Sequence, residues 1–131
     1  MDETDKKILE ILKKDAREKY VKIAKEVGLT EGAIRQRIKK MMSRGTIRRF
    51  TVDVGTAVEA IILINTSPTD TSKITRQMKE ISSKVYEVSG EYDVAALVEA
   101  DDMDELNSKV DDVRKLRGVV NTNTLIRLLK D

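Results

Sequence analysis

The chain is predicted to be an α+β protein of two modules, a short helical front and a sheet covered by helices. Three observations predict this. Up to about residue 45 the apolar residues recur at spacings of three and four, whereas from residue 57 near-continuous β-branched runs alternate with amphipathic stretches. The charge divides at nearly the same place: residues 1–50 hold fifteen Lys and Arg against eight Asp and Glu, and residues 51–131 hold ten against fifteen. A net charge of +2 therefore conceals a basic module, suited to phosphate, and an acidic one that is not. Finally, two short amphipathic segments meet at Gly28. The expected boundaries are 1–52 for the first module, 53–56 for a short linker around Gly55, and 57–131 for the second.

In order, residues 4–15 form a first helix, with Thr4 as its cap and Ile8, Leu9, Ile11 and Leu12 as its apolar stripe. A second helix from Tyr20 carries Ile23, Ala24 and Val27 on one face. Small Ala24 allows close helix approach, and Gly28 suits a turn that needs positive φ. Thr30 caps a third helix, residues 30–43, which turns Ile34, Ile38 and Met41 inward. Gly45 closes it in a left-handed conformation. Two helices joined by a short glycine turn make a helix-turn-helix, though an ordinary helical hairpin has the same pattern. Charge separates the two readings. Between Glu31 and Arg49 stand Arg35, Arg37, Lys39, Lys40, Arg44, Arg48 and Arg49 against one acid, Glu31, and a merely solvated face mixes signs more evenly. The third helix is therefore expected to enter the major groove of double-stranded DNA, with Gly32, Arg35, Gln36 and Lys39 toward the bases. Ile47, Phe50 and Val52 read as a short strand leaving the module. Arg48 and Arg49 on it either reach a phosphate or are solvated.

In the second module, residues 57–65 form a buried central strand, and residues 71–83 a helix turning Ile74, Met78 and Ile81 inward. Residues 85–90 form an edge strand and 92–100 a second buried strand. Residues 102–116 form a helix with Met103, Leu106, Val110 and Val113 inward, and 119–129 a last strand. The order β-α-β-β-α-β is that of a ferredoxin-like unit, in which the first and third strands are central. These are the two most apolar runs. With both helices on one face, the other would remain too apolar for solvent and is expected to meet a second copy across a two-fold axis.

Other chemistry is excluded or weak. The chain has no Cys and no His, so disulfides, thiol nucleophiles, Cys/His zinc sites and imidazole catalysis are out. The acid-rich EADDMDE lacks the spacing of a calcium loop. No phosphate-cradling glycine loop and no G-x-S-x-G is present. An RNA-recognition sheet needs stacking aromatics that the central strands lack. Neither an enzyme, a metal site, a cofactor nor a membrane span is expected, and the N-terminus has no hydrophobic signal region. The protein is expected to be soluble and cytoplasmic.

DETDKKILEILKKDAR, IAKEVGLTEGAIRQRIKKMMSRGTI, VSGEYDVAALVEADDMDEL and LRGVVNTNTLI, taken in this order, resemble the Lrp/AsnC, or feast/famine, family of transcriptional regulators along essentially the whole chain. The resemblance implies a winged helix-turn-helix, a ferredoxin-like effector domain, homodimers through the sheets, assembly into tetramers or octamers, and a free amino acid bound where dimers meet. It places Glu31, Gly32, Arg35, Gln36, Arg37, Lys39 and Lys40 at the DNA, beside which the residues themselves put Arg48 and Arg49. It places Ser89, Gly90, Glu91, Tyr92 and Asp93, with Thr122, Asn123 and Thr124, at the effector. The chain departs from the family at Glu31-Gly32-Ala33, where a proline is common, and in its short linker.

The residues themselves leave two readings of the 89–93 loop. Exposed N–H groups at Gly90 suit a carboxylate and Glu91 or Asp93 an ammonium group, but the residues alone favour a plain hairpin with solvated acids, and only the resemblance raises the ligand reading above it. If there is an effector, the negative field of Glu87, Glu91 and Asp93 favours lysine or arginine over leucine or glutamine. The alternative function is an effector-independent DNA architectural protein of the same fold.

Overall fold

The structure, a computed structural model, describes residues 1–128 and divides into two compact units, Met1–Asp53 and Val54–Asp131. The end of the last predicted strand, Leu129, lies outside the described residues. No helix among the described residues is long and apolar enough to cross a membrane.

The first unit contains α1 (Glu3–Lys14), α2 (Tyr20–Val27) and α3 (Glu31–Ser43). Its core is Ile8, Leu12, Ile23, Ala24, Ile34, Ile38 and Met41, one face from each helix. Each of the larger side chains contributes ~1.5–3 kcal/mol on burial. Gly28, at φ 74°, ends α2 in the left-handed region and opens the turn into α3. There Thr30 accepts a hydrogen bond from the Ala33 N–H at 3.1 Å. Two details differ from expectation. The cap of α1 is Asp2, which accepts from the Asp5 N–H at 2.8 Å, and Thr4 lies inside the helix. The strand expected over Ile47–Val52 does not form: residues 48–56 carry no regular structure. Ile47 packs on the helical core and its N–H donates to the Met41 carbonyl, but an all-helical unit offers no strand to pair with. Phe50 and Val52 remain exposed.

The second unit contains β1 (Val58–Thr66), α4 (Thr71–Met78), β2 (Lys84–Glu87), β3 (Val94–Ala100), α5 (Met103–Arg114) and β4 (Val119–Ile126). The strands form one antiparallel sheet in the order β2-β3-β1-β4, so the two most apolar runs are central. Ala60, Ile62, Ile64, Val94, Ala96, Val98 and Ala100 pack against Ile74 and Met78 of α4 and Leu106, Val110 and Val113 of α5. The opposite face carries Leu97, Ile61 and Leu125 in one register row and Ala95, Leu63 and Asn123 in the next. Ile61, Leu97 and Leu125 are 36–48% exposed, so this face is apolar and uncovered within one chain.

Here too the boundaries moved. After Met78 the N–H groups of Lys79, Glu80 and Ile81 donate three residues back, so tight turns replace the expected end of the helix. Met103, expected inward, is exposed. It is the first residue of α5, and helical side chains lean toward the N-terminus, beyond the last turn that could bury them.

Candidate DNA-binding and effector sites

The α3 phase is set by its buried side. Ile34, Ile38 and Met41 are nearly inaccessible, which leaves Gly32, Arg35, Gln36 and Lys39 exposed on the outward surface. Lys39, Lys40, Arg44, Arg48 and Arg49 are also exposed, and none has an ion-pair partner among the described residues. Such a surface attracts a polyanion and releases its counterions. Arg35 is held differently. Its Nη2 lies 3.0 Å from Glu31 Oε1, one helical turn back, and its guanidinium carbon lies 5.2 Å from the centre of the Tyr20 ring. Glu31, expected at the DNA, is therefore engaged with Arg35 in the free chain.

Arg37 also departs from expectation. Its Nη1 donates to both carboxylate oxygens of Asp2, at 2.9 and 2.7 Å, and to Asp5 Oδ1 at 3.1 Å. The guanidinium ties α3 to the start of α1 instead of standing free for phosphate. The Arg37 hydrogen bond, reinforced by the Asp5 N–H, holds the Asp2 carboxyl below the usual carboxylate range; Asp2 in turn raises Arg37. The partner of Arg37 lies 35 residues away in sequence, so the phase of one helix could not disclose it.

The 89–93 loop joins β2 to β3. The Val88 N–H donates to the Asp93 carbonyl at 2.9 Å, and Gly90 has φ 129°. Ser89, Gly90 and Glu91 are exposed, while Tyr92 and Asp93 are half-buried. The Asp93 carboxylate is not free as expected: Oδ2 accepts from the Thr66 N–H at 2.8 Å, and the Thr66 hydroxyl lies 2.6 Å from that of Thr71. It thus fastens the end of β1 to the loop. Asp93→Ala should cost unit 2 ~1–3 kcal/mol by leaving a buried N–H unpaired, and Asp93→Asn, which retains an acceptor oxygen, should cost less. Urea denaturation followed by circular dichroism measures the difference. Glu87 likewise accepts from the Thr75 hydroxyl at 3.1 Å. Glu91 has neither a hydrogen-bond nor an ion-pair partner among the described residues.

Strand alternation separates the three β4 residues expected at the effector. Asn123 lies on the uncovered face and donates to the Tyr92 hydroxyl at 3.2 Å. Thr122 and Thr124 pair with Ile64 and Ile62 and so share the helix-covered face, where Thr124 Oγ1 is buried without a hydrogen-bond partner among the described residues. Two open clefts occur elsewhere. One, of ≈ 540 Å³, includes Gln36, Arg37 and Lys40; the other, of ≈ 380 Å³, includes Ser82, Glu99 and Lys109.

Comparison with known proteins covers both units. A model of the AsnC-type helix-turn-helix domain matches residues 1–42, and one of the Lrp/AsnC ligand binding domain matches residues 59–129. The HTH-type transcriptional regulator LysM of Sulfurisphaera tokodaii is 41% identical over 98% of this chain and 95% of its own length. The structure of Escherichia coli AsnC superposes with a TM-score of 0.82 at 26% identity, covering 99% of this chain and 93% of that one. The transcriptional regulator NMB0573 of Neisseria meningitidis, in complex with L-methionine, shares the fold with a TM-score of 0.84 at 20% identity, over 99% and 91% of the two chains.

Proposed function

The chain belongs to the Lrp/AsnC family of transcriptional regulators and carries its ligand-binding domain, and on that premise we propose that it binds operator DNA sequence-specifically and changes its operator affinity or assembly on binding a free amino acid. The observation that carries the DNA half is the basic outward surface of α3, with Arg35, Gln36 and Lys39 set opposite the buried Ile34, Ile38 and Met41. An arginine or glutamine bidentate to a base supplies ~1–3 kcal/mol of discrimination. Arg35→Ala should relax base preference by about that amount. Arg49→Ala should weaken all duplexes about equally and lower the salt slope by about one. Binding titrations on a selected and a scrambled duplex at several salt concentrations separate the two effects.

The effector half draws on the 89–93 loop and on the amino acid bound to NMB0573. Among the described residues Glu87 and Asp93 accept only from neutral donors and Glu91 has no partner, so none of the three charges is neutralised by an ion pair there. We infer a preference for lysine or arginine on this ground. The homodimer forms through the uncovered sheet face and assembles further into a tetramer or octamer, and the site of action is the cytoplasm. A thermal-shift panel of amino acids tests the reading, because a ligand of the folded state raises its melting temperature. A second reading, an effector-independent DNA architectural protein, is favoured by the engagement of Asp93 and Glu87 inside the fold. A flat response to the whole panel would select it.

A further inference from the structure

Tyr20, the first residue of α2, belongs to none of the surfaces described so far, yet its ring packs against the helical core while remaining half-exposed. The Arg35 guanidinium lies 5.2 Å from the ring centre and 3.0 Å from Glu31, with the arginine side chain still 63% exposed. An arginine on a solvated helix normally samples many rotamers, and ordering it at a base edge costs entropy at the moment of binding. Here a ring fixed by the core and a carboxylate on the same helix restrict it beforehand. The face of a tyrosine ring attracts a guanidinium through its quadrupole, and its hydroxyl is not needed for that.

We propose that Tyr20 is a specificity-determining positioning residue, its ring presetting the Arg35 guanidinium for base readout. This rests on α3 being the reading helix. Tyr20 touches no base in this scheme: it acts through Arg35, so it changes discrimination between sequences more than affinity for DNA as such. The salt slope, set by phosphate neutralisation, stays where it was.

The test uses the full chain, a duplex selected in vitro by the wild type and a scrambled duplex at one fixed salt concentration. Tyr20→Leu retains apolar bulk but loses the ring, and should lower the ratio of specific to non-specific affinity about three- to five-fold. Tyr20→Phe should hold that ratio within about two-fold of wild type, since the ring face is retained. Should Tyr20→Leu unfold the helical unit, phenylalanines of increasing ring fluorination at position 20 replace it; they weaken the ring face at nearly constant shape and should lower the ratio stepwise. A Tyr20→Leu or fluorinated variant as specific as wild type overturns the proposal, and so does a Tyr20→Phe as impaired as Tyr20→Leu. Arg35→Ala is measured alongside. If it too leaves specificity untouched, the reading helix itself has been misassigned; if it alone relaxes specificity, only the role of Tyr20 fails.

Discussion

Leu63→Lys is expected to convert the proposed dimer to monomers at micromolar concentration while leaving the chain folded. Leu63 lies on the uncovered sheet face, opposite Ala95 on β3 and Asn123 on β4, whereas the helix-covered core is built from its neighbours Ile62 and Ile64. The substitution therefore leaves the core of the unit intact. At a two-fold interface every change occurs twice. Loss of a buried leucine forfeits ~1.5–3 kcal/mol, so the pair forfeits ~3–6 kcal/mol before the desolvation of two ammonium groups is counted. The dissociation constant should rise by at least about 100-fold. Sedimentation equilibrium reads the mass, and circular dichroism verifies the fold. A folded Leu63→Lys chain that remains dimeric would show that the sheet face is not the interface.

Gly118→Ala should destabilise the second unit by ~2–5 kcal/mol, a large part of the ~5–15 kcal/mol typical of a domain. Two effects combine. Gly118 has φ 100°, where a side chain is strained, and a Cβ there would stand 2.5 Å from Asp70 Cβ. Asp70 cannot easily withdraw, since its carboxylate accepts from the Ser67 hydroxyl at 2.5 Å and the Ser67 N–H donates to the Gly118 carbonyl at 2.8 Å. Gly45 provides the comparison: it has φ 78°, but nothing within 4 Å of an added Cβ, so Gly45→Ala should cost only the ~1–2 kcal/mol of backbone strain. Denaturation midpoints of the two variants separate strain from collision. Equal losses would mean that the Asp70 contact relaxes freely.

Most features that depend on residues near in sequence were readable from the sequence, though not the cap of α1, which is Asp2 and not Thr4, nor the end of α4 at Met78. The spacing of Ile34, Ile38 and Met41 dictated which side of α3 is exposed, and Gly28 and Thr30 marked the turn and cap on either side of Leu29. The apolar continuity of β1 and β3 marks them as central independently of their pairing. Features set by distant partners were not readable. Arg37 looks like any other cation on a basic helix until the start of α1 is folded beside it. Asp93 looks like an exposed loop acid until the Thr66 N–H is brought against it. Ile47, Phe50 and Val52 among polar neighbours read as a strand, but a strand also needs a ladder, and residues 48–56 have none. Tyr20 gave no sequence signal: a single aromatic at a helix start becomes informative only when Arg35, fifteen positions on, is seen against its ring.

The central claim, that an amino acid held by the second unit controls DNA binding by the first, is tested most directly by titrating the selected duplex with the full chain at one fixed salt concentration, with and without each free amino acid in turn. At least one amino acid should shift the operator dissociation constant by about 5- to 150-fold, with lysine or arginine foremost, and the operator should shift the affinity for that amino acid by the same factor. Specific operator binding that no amino acid alters would contradict it.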